Sequence, residues 1–488
     1  MTKRVLYWLR QDLRLKDNPA LCEAVKAGSV CPIYIFDDAC AKEWSLGGAR
    51  RWWLFESLKA FNADINGKLA IFQGDPLTII LRLVKQHGLG SVFWNRCYQP
   101  WQVARDTELK AKLKKQGIPI HSFNASLLWE PFQVLKADKT PYRVFTPFFK
   151  KGCLGASPPR DPLKAPGGLV LEKLAGGVPV DQLPLLPKGF SNKATPQSKA
   201  GWPTKLGGHW TPSEKAAHTA LRKFIDKGLA GYKDGRDRPA LFHTSMLSPF
   251  LHQGQLSPNQ VWYASLMAQE RGLVQSKDAA HFQSELGWRE FSYNLLHHNP
   301  DLPTKPLNKA FAKFPWEKNT AHLGAWQQGR TGYPLVDAGM RQLWETGFMH
   351  NRLRMITASF LIKHLRIDWR LGEKWFWDCL VDADLASNSA SWQWVAGCGA
   401  DAAPYFRIFN PILQGQRFDP EGAYTRRWVP ELKNMPDSFL FRPWLAPQET
   451  LKKAGVILGE TYPHPVVLHD TARAQALQAF QSLKNPAP

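Results

Sequence analysis

The sequence has no run of roughly 18 apolar residues, so nothing in it is expected to cross a bilayer. Cysteine is sparse. Its seven residues, Cys22, Cys31, Cys40, Cys97, Cys153, Cys379 and Cys398, are scattered, odd in number and free of any C-x-x-C pair. That pattern argues against a disulfide framework and against a zinc site, and no metal is expected. The amino-terminal stretch becomes charged after five apolar residues, so it does not read as a signal peptide, and a reducing cytoplasm is the expected location. No G-x-G-x-x-G follows the first apolar run, which removes the usual dinucleotide fingerprint. Acidic residues are also short in supply. There are 41 Asp and Glu against 63 Lys and Arg, a net charge of +22. Such a chain is expected to meet a polyanion, nucleic acid before a membrane surface.

What is present is length, tryptophan and a change of periodicity along the chain. At 488 residues, two or three domains are expected. Over residues 1–130, short apolar runs at 5–9, 31–36, 69–73, 92–95 and 118–123 read as strands. They alternate with helical stretches, two of which open on Asn18-Pro19 and Asp75-Pro76. This is the pattern of a doubly wound parallel sheet, a Rossmann-like α/β domain with room for a ligand at the carboxyl ends of its strands. Residues 131–208 are rich in Pro, Gly, Lys and Ser and read as a long connector. Helical periodicity then dominates, from Ser213 on, so 209–475 is expected to be an all-α domain and 476–488 a short tail. Most of the 21 Trp must be core, and each needs a positional argument before it gains a role.

Three segments supply such positions. Glu285, Trp288 and Arg289 stand at i, i+3, i+4, as do Asn351, Arg354 and Met355; Asp384, Asn388 and Trp392 stand at i, i+4, i+8. On helices, each set would share one face. Carboxylates, carboxamides, arginines and flat rings together suit a large stacked cofactor beside a nucleobase.

The surrounding motifs are more specific. The stretches Gly332-Tyr333-Pro334-Leu335-Val336-Asp337, Met349-His350-Asn351-Arg352-Leu353-Arg354-Met355, Asp382-Ala383-Asp384-Leu385-Ala386-Ser387-Asn388, Trp392-Gln393-Trp394 and Asp401-Ala402-Ala403-Pro404-Tyr405-Phe406-Arg407 occur in this order, with Trp8-Leu9-Arg10-Gln11-Asp12-Leu13-Arg14 near the start. Together they resemble the DNA photolyase/cryptochrome family over nearly the whole chain, with details closest to class I cyclobutane pyrimidine dimer photolyases.

The resemblance implies FAD, fully reduced in the active form and bound in the helical domain. It implies phosphate-side contacts from Tyr232, Thr244, Ser245, Leu247 and Ser248. Around the flavin, ribose and adenine it implies Arg289, Asn351, Arg354, Asp382, Asp384 and Asn388, with Asn388 facing flavin N5. A carboxamide both donates and accepts, so it suits either protonation state there. Catalysis is implied to be light-driven electron donation to the dimer. Glu285 would hydrogen-bond the lesion, for which it needs its proton, and Trp392, Trp369 and Trp316 would form an electron chain to the surface. Trp288, Trp394 and Met355 would line the lesion pocket, and Arg236, Arg352 and Arg407 would hold phosphates of UV-damaged DNA. No protein partner is implied, and a monomer is expected.

Two departures bear on the antenna. The family's usual acidic folate contact corresponds to Gln102, while Arg51-Trp52-Trp53-Leu54 resembles a helix of the plant-cryptochrome-like and class III branches. A folate, an 8-hydroxy-deazaflavin or no antenna all fit this reading. The rival functions are a cryptochrome-like blue-light photoreceptor and a (6-4) photolyase. Against the second, the helix holding Asn351 and Met355 has no His between them, where the eukaryote-type enzymes carry one.

Overall fold

A computed structural model describes residues 3–186, 201–401 and 406–483. Residues 402–405 of the last family-like stretch, the 187–200 part of the connector and 484–488 of the tail lie outside the described residues. Chain contacts divide the fold into two compact units. The first holds residues up to 230 with 245–300 and 381–384; the second holds 231–244, 301–380 and residues from 385 on.

The first unit is built on a five-stranded, wholly parallel sheet of β1 (Arg4–Leu9), β2 (Ser29–Phe36), β3 (Ala70–Gln73), β4 (Val92–Asn95) and β5 (Ile120–Phe123), in the order β3-β2-β1-β4-β5. The crossovers are α1 (Pro19–Ala27), α2 (Gly48–Asp64), α3 (Pro76–His87) and α4 (Pro100–Lys115). The doubly wound sheet expected from the alternating pattern is therefore present. Period-two alternation sends Leu6, Trp8, Ile33, Ile35, Phe72 and Trp94 to one face, against Ile80 and Leu83 of α3 and Leu109 and Leu113 of α4. Val5, Tyr7, Val30, Tyr34 and Phe93 face the other way, against Leu21 and Ala24 of α1 and Leu54, Leu58 and Phe61 of α2. The caps are those the sequence signals. Asn18 accepts from Leu21 N and Asp75 from Thr78 N, each followed by proline at the first turn.

Strand order reverses around β1, which opens a crevice at the carboxyl ends. The connector also enters the core: Leu171 bridges Val30, and Leu183 and Leu185 are buried among the residues of the second face.

Helices follow the sheet. Ser276–His298 is the longest, and Glu214–Lys227 and Pro258–Glu270 precede it. The chain just before Pro258–Glu270 joins the same unit through buried bonds at long sequence separation. Trp53 Nε1 donates to Gln255 Oε1 (3.1 Å) and Arg14 Nη1 to Gly254 O (2.8 Å). This is why the compact units do not follow the 209–475 boundary.

The second unit is helical among its described residues: Pro334–Thr346, Asn351–Ser359, Trp369–Cys379, Leu385–Ala396, Pro411–Phe418 and His469–Ser482 are its main helices. The Gly332–Asp337 motif is a knot. Buried Asp337 accepts from Thr331 N (2.7 Å), Thr331 Oγ1 (2.6 Å), Gly332 N (3.1 Å) and Tyr462 Oη (2.7 Å). Gly332 has φ +80° and a Cβ there would lie 2.4 Å from His464 O, so only glycine fits. His350 Nδ1 caps the next helix by accepting from Arg352 N (3.2 Å). Burial drops that imidazole to about 4, which keeps it a neutral acceptor.

Candidate functional site

In the first unit the site residues gather on Ser276–His298 and on the 381–384 segment. Asp384 is buried and accepts from Tyr293 Oη (2.5 Å) and His252 Nδ1 (3.1 Å). Burial pushes its carboxyl up, but the His252 bond and the Arg289 charge pull it well below the ordinary carboxylate range, so it is ionised. Burial, then the charge of Arg50, lowers His252 to about 4, and the neutral ring still donates to Asp384.

Neighbouring Asp382 accepts from Ser248 Oγ (2.6 Å), which ties the 245–248 loop to the same segment. Within that loop Met246 has φ +56°, a conformation that costs a non-glycine residue about 1 kcal/mol or more. Leu247 is buried and precedes the short Ser248–Gln253 helix; Ser245 is half-buried.

Arg289 donates to Glu290 Oε1 (3.1 Å) and lies 5.1 Å over the Tyr293 ring. Glu290 in turn accepts from the backbone of Leu128 (2.9 Å) and Trp129 (3.2 Å), pinning the chain after β5 to this helix. Glu285 and Trp288 lie half-buried one turn apart on it. The Trp288 ring is stacked on Phe145 at 3.7 Å and 9°, so the connector supplies the support for one face of this indole.

In the second unit, Asn388 and Trp392 lie on Leu385–Ala396, which packs against Trp369–Cys379. Asp384 stands immediately before this helix, so only the last two members of the i, i+4, i+8 set lie on it. Asn388 Nδ2 donates to the Glu373 carbonyl (3.1 Å), while Glu373 Oε1 accepts from Ser389 Oγ (2.5 Å). Glu373 Oε2 is buried with no hydrogen-bond partner among the described residues. Burial raises this carboxyl to about 8.

Trp392 makes edge contacts with Phe376 (5.0 Å) and Trp326 (6.3 Å). A Cβ on Gly372 would lie 2.2 Å from its ring, so that glycine permits the close approach. Trp369 is buried under Arg370, and Trp316 packs on Phe314 at 4.2 Å. Trp394, half-buried, donates to Asp401 O (3.1 Å). Between the two tryptophans, buried Gln393 donates to Leu302 O and Lys305 O and accepts from Leu307 N; it pins the 302–307 loop.

Asn351, exposed, begins the helix that also carries Arg352, Arg354 and Met355. Arg354 donates to Met349 O (2.8 Å) and lies over Phe348. Arg352 pairs with Asp237 and covers the Phe418 ring at 4.4 Å. Arg236 lies 5.5 Å over Tyr232, Thr244 is half-buried, and Arg407 is exposed.

The crevice of the sheet is a separate candidate. It is open to solvent, with Trp8, Arg10, Asp37, Arg50, Trp101, Gln102 and Arg105 in its wall. Arg10 pairs with Asp106 (2.5 Å), and Arg105 bridges Asp37 and Asp106 while lying over Trp8 and Trp101. Three buried polar atoms there have no partner among the described residues: Trp8 Nε1, Arg10 Nε and Gln102 Oε1.

His252, Glu290, Tyr293, Glu373, Ser389, Gln393 and Phe145 were not singled out from sequence. Tyr293 stands four residues after Arg289, a spacing that signals a shared face. Nothing local marks Glu373 as buried, since Arg370 and Lys374 flank it.

The donor set fits FAD. Hydroxyls, arginines and buried carboxylates suit a pyrophosphate, a ribose and a purine. Asn388, its nitrogen held by a carbonyl, keeps an oxygen that accepts from no described residue.

Comparison with known proteins agrees. Residues 5–167 match the family model described as DNA photolyase, and residues 282–482 match that of the FAD binding domain of DNA photolyase. A deoxyribodipyrimidine photo-lyase of Agrobacterium fabrum is 46% identical, covering 99% of this chain and 98% of its own. Cryptochrome-1 of Arabidopsis thaliana is 36% identical over 98% of this chain and 70% of its own length. The crystal structure of a bacterial class III photolyase from Agrobacterium tumefaciens superposes with a TM-score of 0.93 at 46% identity, covering 99% of this chain and 98% of the other. With the parallel sheet, the helical FAD-binding part and these likenesses in hand, the chain belongs to the DNA photolyase/cryptochrome family.

Proposed function

We propose that this protein is a light-dependent DNA repair enzyme that splits cyclobutane pyrimidine dimers. FAD, held by the residues assigned below, would supply light-driven electron transfer to the dimer. The residues of the chain hold, orient and exclude.

One observation carries the reading. Trp288 presents a half-buried ring, stacked from behind on Phe145, one turn from Glu285. A base stacks on such a platform for roughly 1–3 kcal/mol, which offsets part of the few kcal/mol of unstacking. Glu285 is assigned to hydrogen-bond the base edge, and Trp394 and Met355 to apolar contact with the lesion. Photolyases as a class flip their target base out of the stack. Arg236, Arg352 and Arg407 hold phosphates, which makes binding salt-dependent.

For FAD, the family likeness leads us to assign Tyr232, Thr244, Ser245, Leu247, Ser248, Arg289, Asn351, Arg354, Asp382, Asp384 and Asn388. The anchoring of Asn388 through its nitrogen favours a cofactor that presents an N–H, as a reduced isoalloxazine does. Trp392, Trp369 and Trp316 carry electrons inward from the surface. An aromatic, polar antenna of folate or deazaflavin type is assigned to the sheet crevice, on the strength of its three unpartnered polar atoms.

The likeness to a plant cryptochrome keeps photoreception as the second reading. The test is binding of a thymine-dimer duplex against its undamaged twin. Preference for the dimer that Trp288→Ala reduces at least tenfold, about 1.4 kcal/mol, supports repair. Equal affinity for both duplexes supports the receptor.

A further inference from the structure

Lys363 is a buried lysine in an unusual place. The helix Asn351–Ser359 does not end regularly but passes into a π-turn, Phe360–His364, closed by Leu365 N to Phe360 O (3.1 Å). Such insertions re-aim side chains and recur at functional sites. Here the turn puts Lys363, 4% exposed, inside the second unit. Its ammonium has three donors but one acceptor among the described residues, the backbone carbonyl of Arg407. It also lies 4.5 Å over the ring of Phe406. Phe406 is stacked on Phe480 at 4.8 Å and 10°, so the segment is held from both sides.

We propose that Lys363 is a positioning residue that seats the Phe406–Arg407 backbone for phosphate contact and takes up a proton when DNA binds. This rests on the DNA-repair reading, in which Arg407 meets a phosphate.

The physics is a linkage. Burial, then the positive charge of Arg407, lowers the Lys363 amine to about 7. A phosphate on Arg407 cancels that repulsion and favours the ammonium, which strengthens its grip on the carbonyl beneath Arg407. Proton and polyanion therefore bind with positive coupling.

The other titratable groups around the turn do not supply this effect. Cys398 is held protonated, its thiol pushed up to about 12 by burial. His364, lowered to about 3, and His469, also lowered, hold each other at 2.9 Å as neutral rings. Asp470 and Arg473 lie on the packed terminal helix, Arg352 and Arg354 on Asn351–Ser359, and Arg370, Glu373, Lys374 and Asp378 on Trp369–Cys379. Glu373, raised to about 8 by burial, is separated by the variants below.

The experiment measures affinity for a thymine-dimer duplex against pH at fixed salt, in the dark, with calorimetry in two buffers of different ionisation enthalpy. Wild type is expected to weaken as pH rises above about 7, by at most about tenfold per pH unit, and to show buffer-dependent heat equal to proton uptake. Lys363→Met should be flat in pH. Lys363→Arg, charged throughout, should be flat yet tight. Flavin absorbance and far-UV circular dichroism report folding of both. A pH-independent wild type, or a Lys363→Met that keeps the slope, overturns the inference while leaving DNA binding intact. No DNA binding at any pH overturns the repair reading and this inference together.

Discussion

Glu373 sits inside the second unit, fully buried, with one carboxyl oxygen on Ser389 and the other without a described partner. Its replacement by glutamine keeps the shape and the acceptor for Ser389 and removes the possibility of charge. The carboxyl rises from 4.5 in the unfolded chain to about 8 in the fold, because burial penalises the anion. A folded pKa above the unfolded one means stability is fully present below 4.5 and is lost as pH rises through 8. At about 1.4 kcal/mol per pH unit, the loss reaches about 3 kcal/mol at neutral pH and about 5 kcal/mol above pH 8. Glu373→Gln should therefore match wild type at about pH 5 and exceed it by about 3–5 kcal/mol at about pH 9. Urea unfolding of both proteins at the two pH values, followed by far-UV circular dichroism, measures the difference. A stability gap that is the same at both pH values would refute the neutral-acid assignment.

Asp384→Asn removes a buried carboxylate that faces the half-buried Arg289 and weakens the grip on Tyr293 and His252; it should cost about 3–5 kcal/mol and lower flavin occupancy, read by thermal melting and by bound-flavin absorbance. Since the Asp384 carboxyl is held low, its contribution is present above the ordinary carboxylate range and fades as pH falls, so the gap between variant and wild type should narrow in acid. Gly372→Ala places a methyl 2.2 Å from the Trp392 ring and 2.6 Å from Leu361, so it should cost about 1–3 kcal/mol and slow photoreduction of oxidised flavin, measured by transient absorption. Unchanged photoreduction would remove Trp392 from the electron chain.

Much of this was legible because local rules and tertiary structure agree. The strands of the sheet alternate with helices opened by Asn18-Pro19 and Asp75-Pro76, and both caps form as written. The helical face carrying Glu285, Trp288 and Arg289 is continuous because Ser276–His298 is unbroken over 23 residues. What stayed hidden depends on partners distant in sequence. The spacing puts Asp384 with Asn388 and Trp392, but its carboxylate partners His252 and Tyr293 are 132 and 91 residues away and leave no local trace. Phe145 lay in a segment read as connector, and only the fold brings it under Trp288. Glu373, beside Lys374, looks like an ordinary surface charge, and Lys363 like a charge at the end of the apolar run Phe360-Leu361-Ile362; their burial follows from helix packing and from a π-turn, neither of which has a periodic signature. The Gly332–Asp337 motif was legible as a family mark, but its physical role, four donors on one buried carboxylate, needed the structure.

The central claim is that light opens pyrimidine dimers on this protein. The direct measurement is repair of a defined thymine-dimer oligonucleotide under near-UV or blue light, with fully reduced flavin and a dark control, in wild type and Glu285→Ala. Light-dependent loss of the dimer, slowed in the variant and absent in the dark, is the expected result. Full flavin occupancy with no loss of dimer in the light would contradict it and leave photoreception as the function.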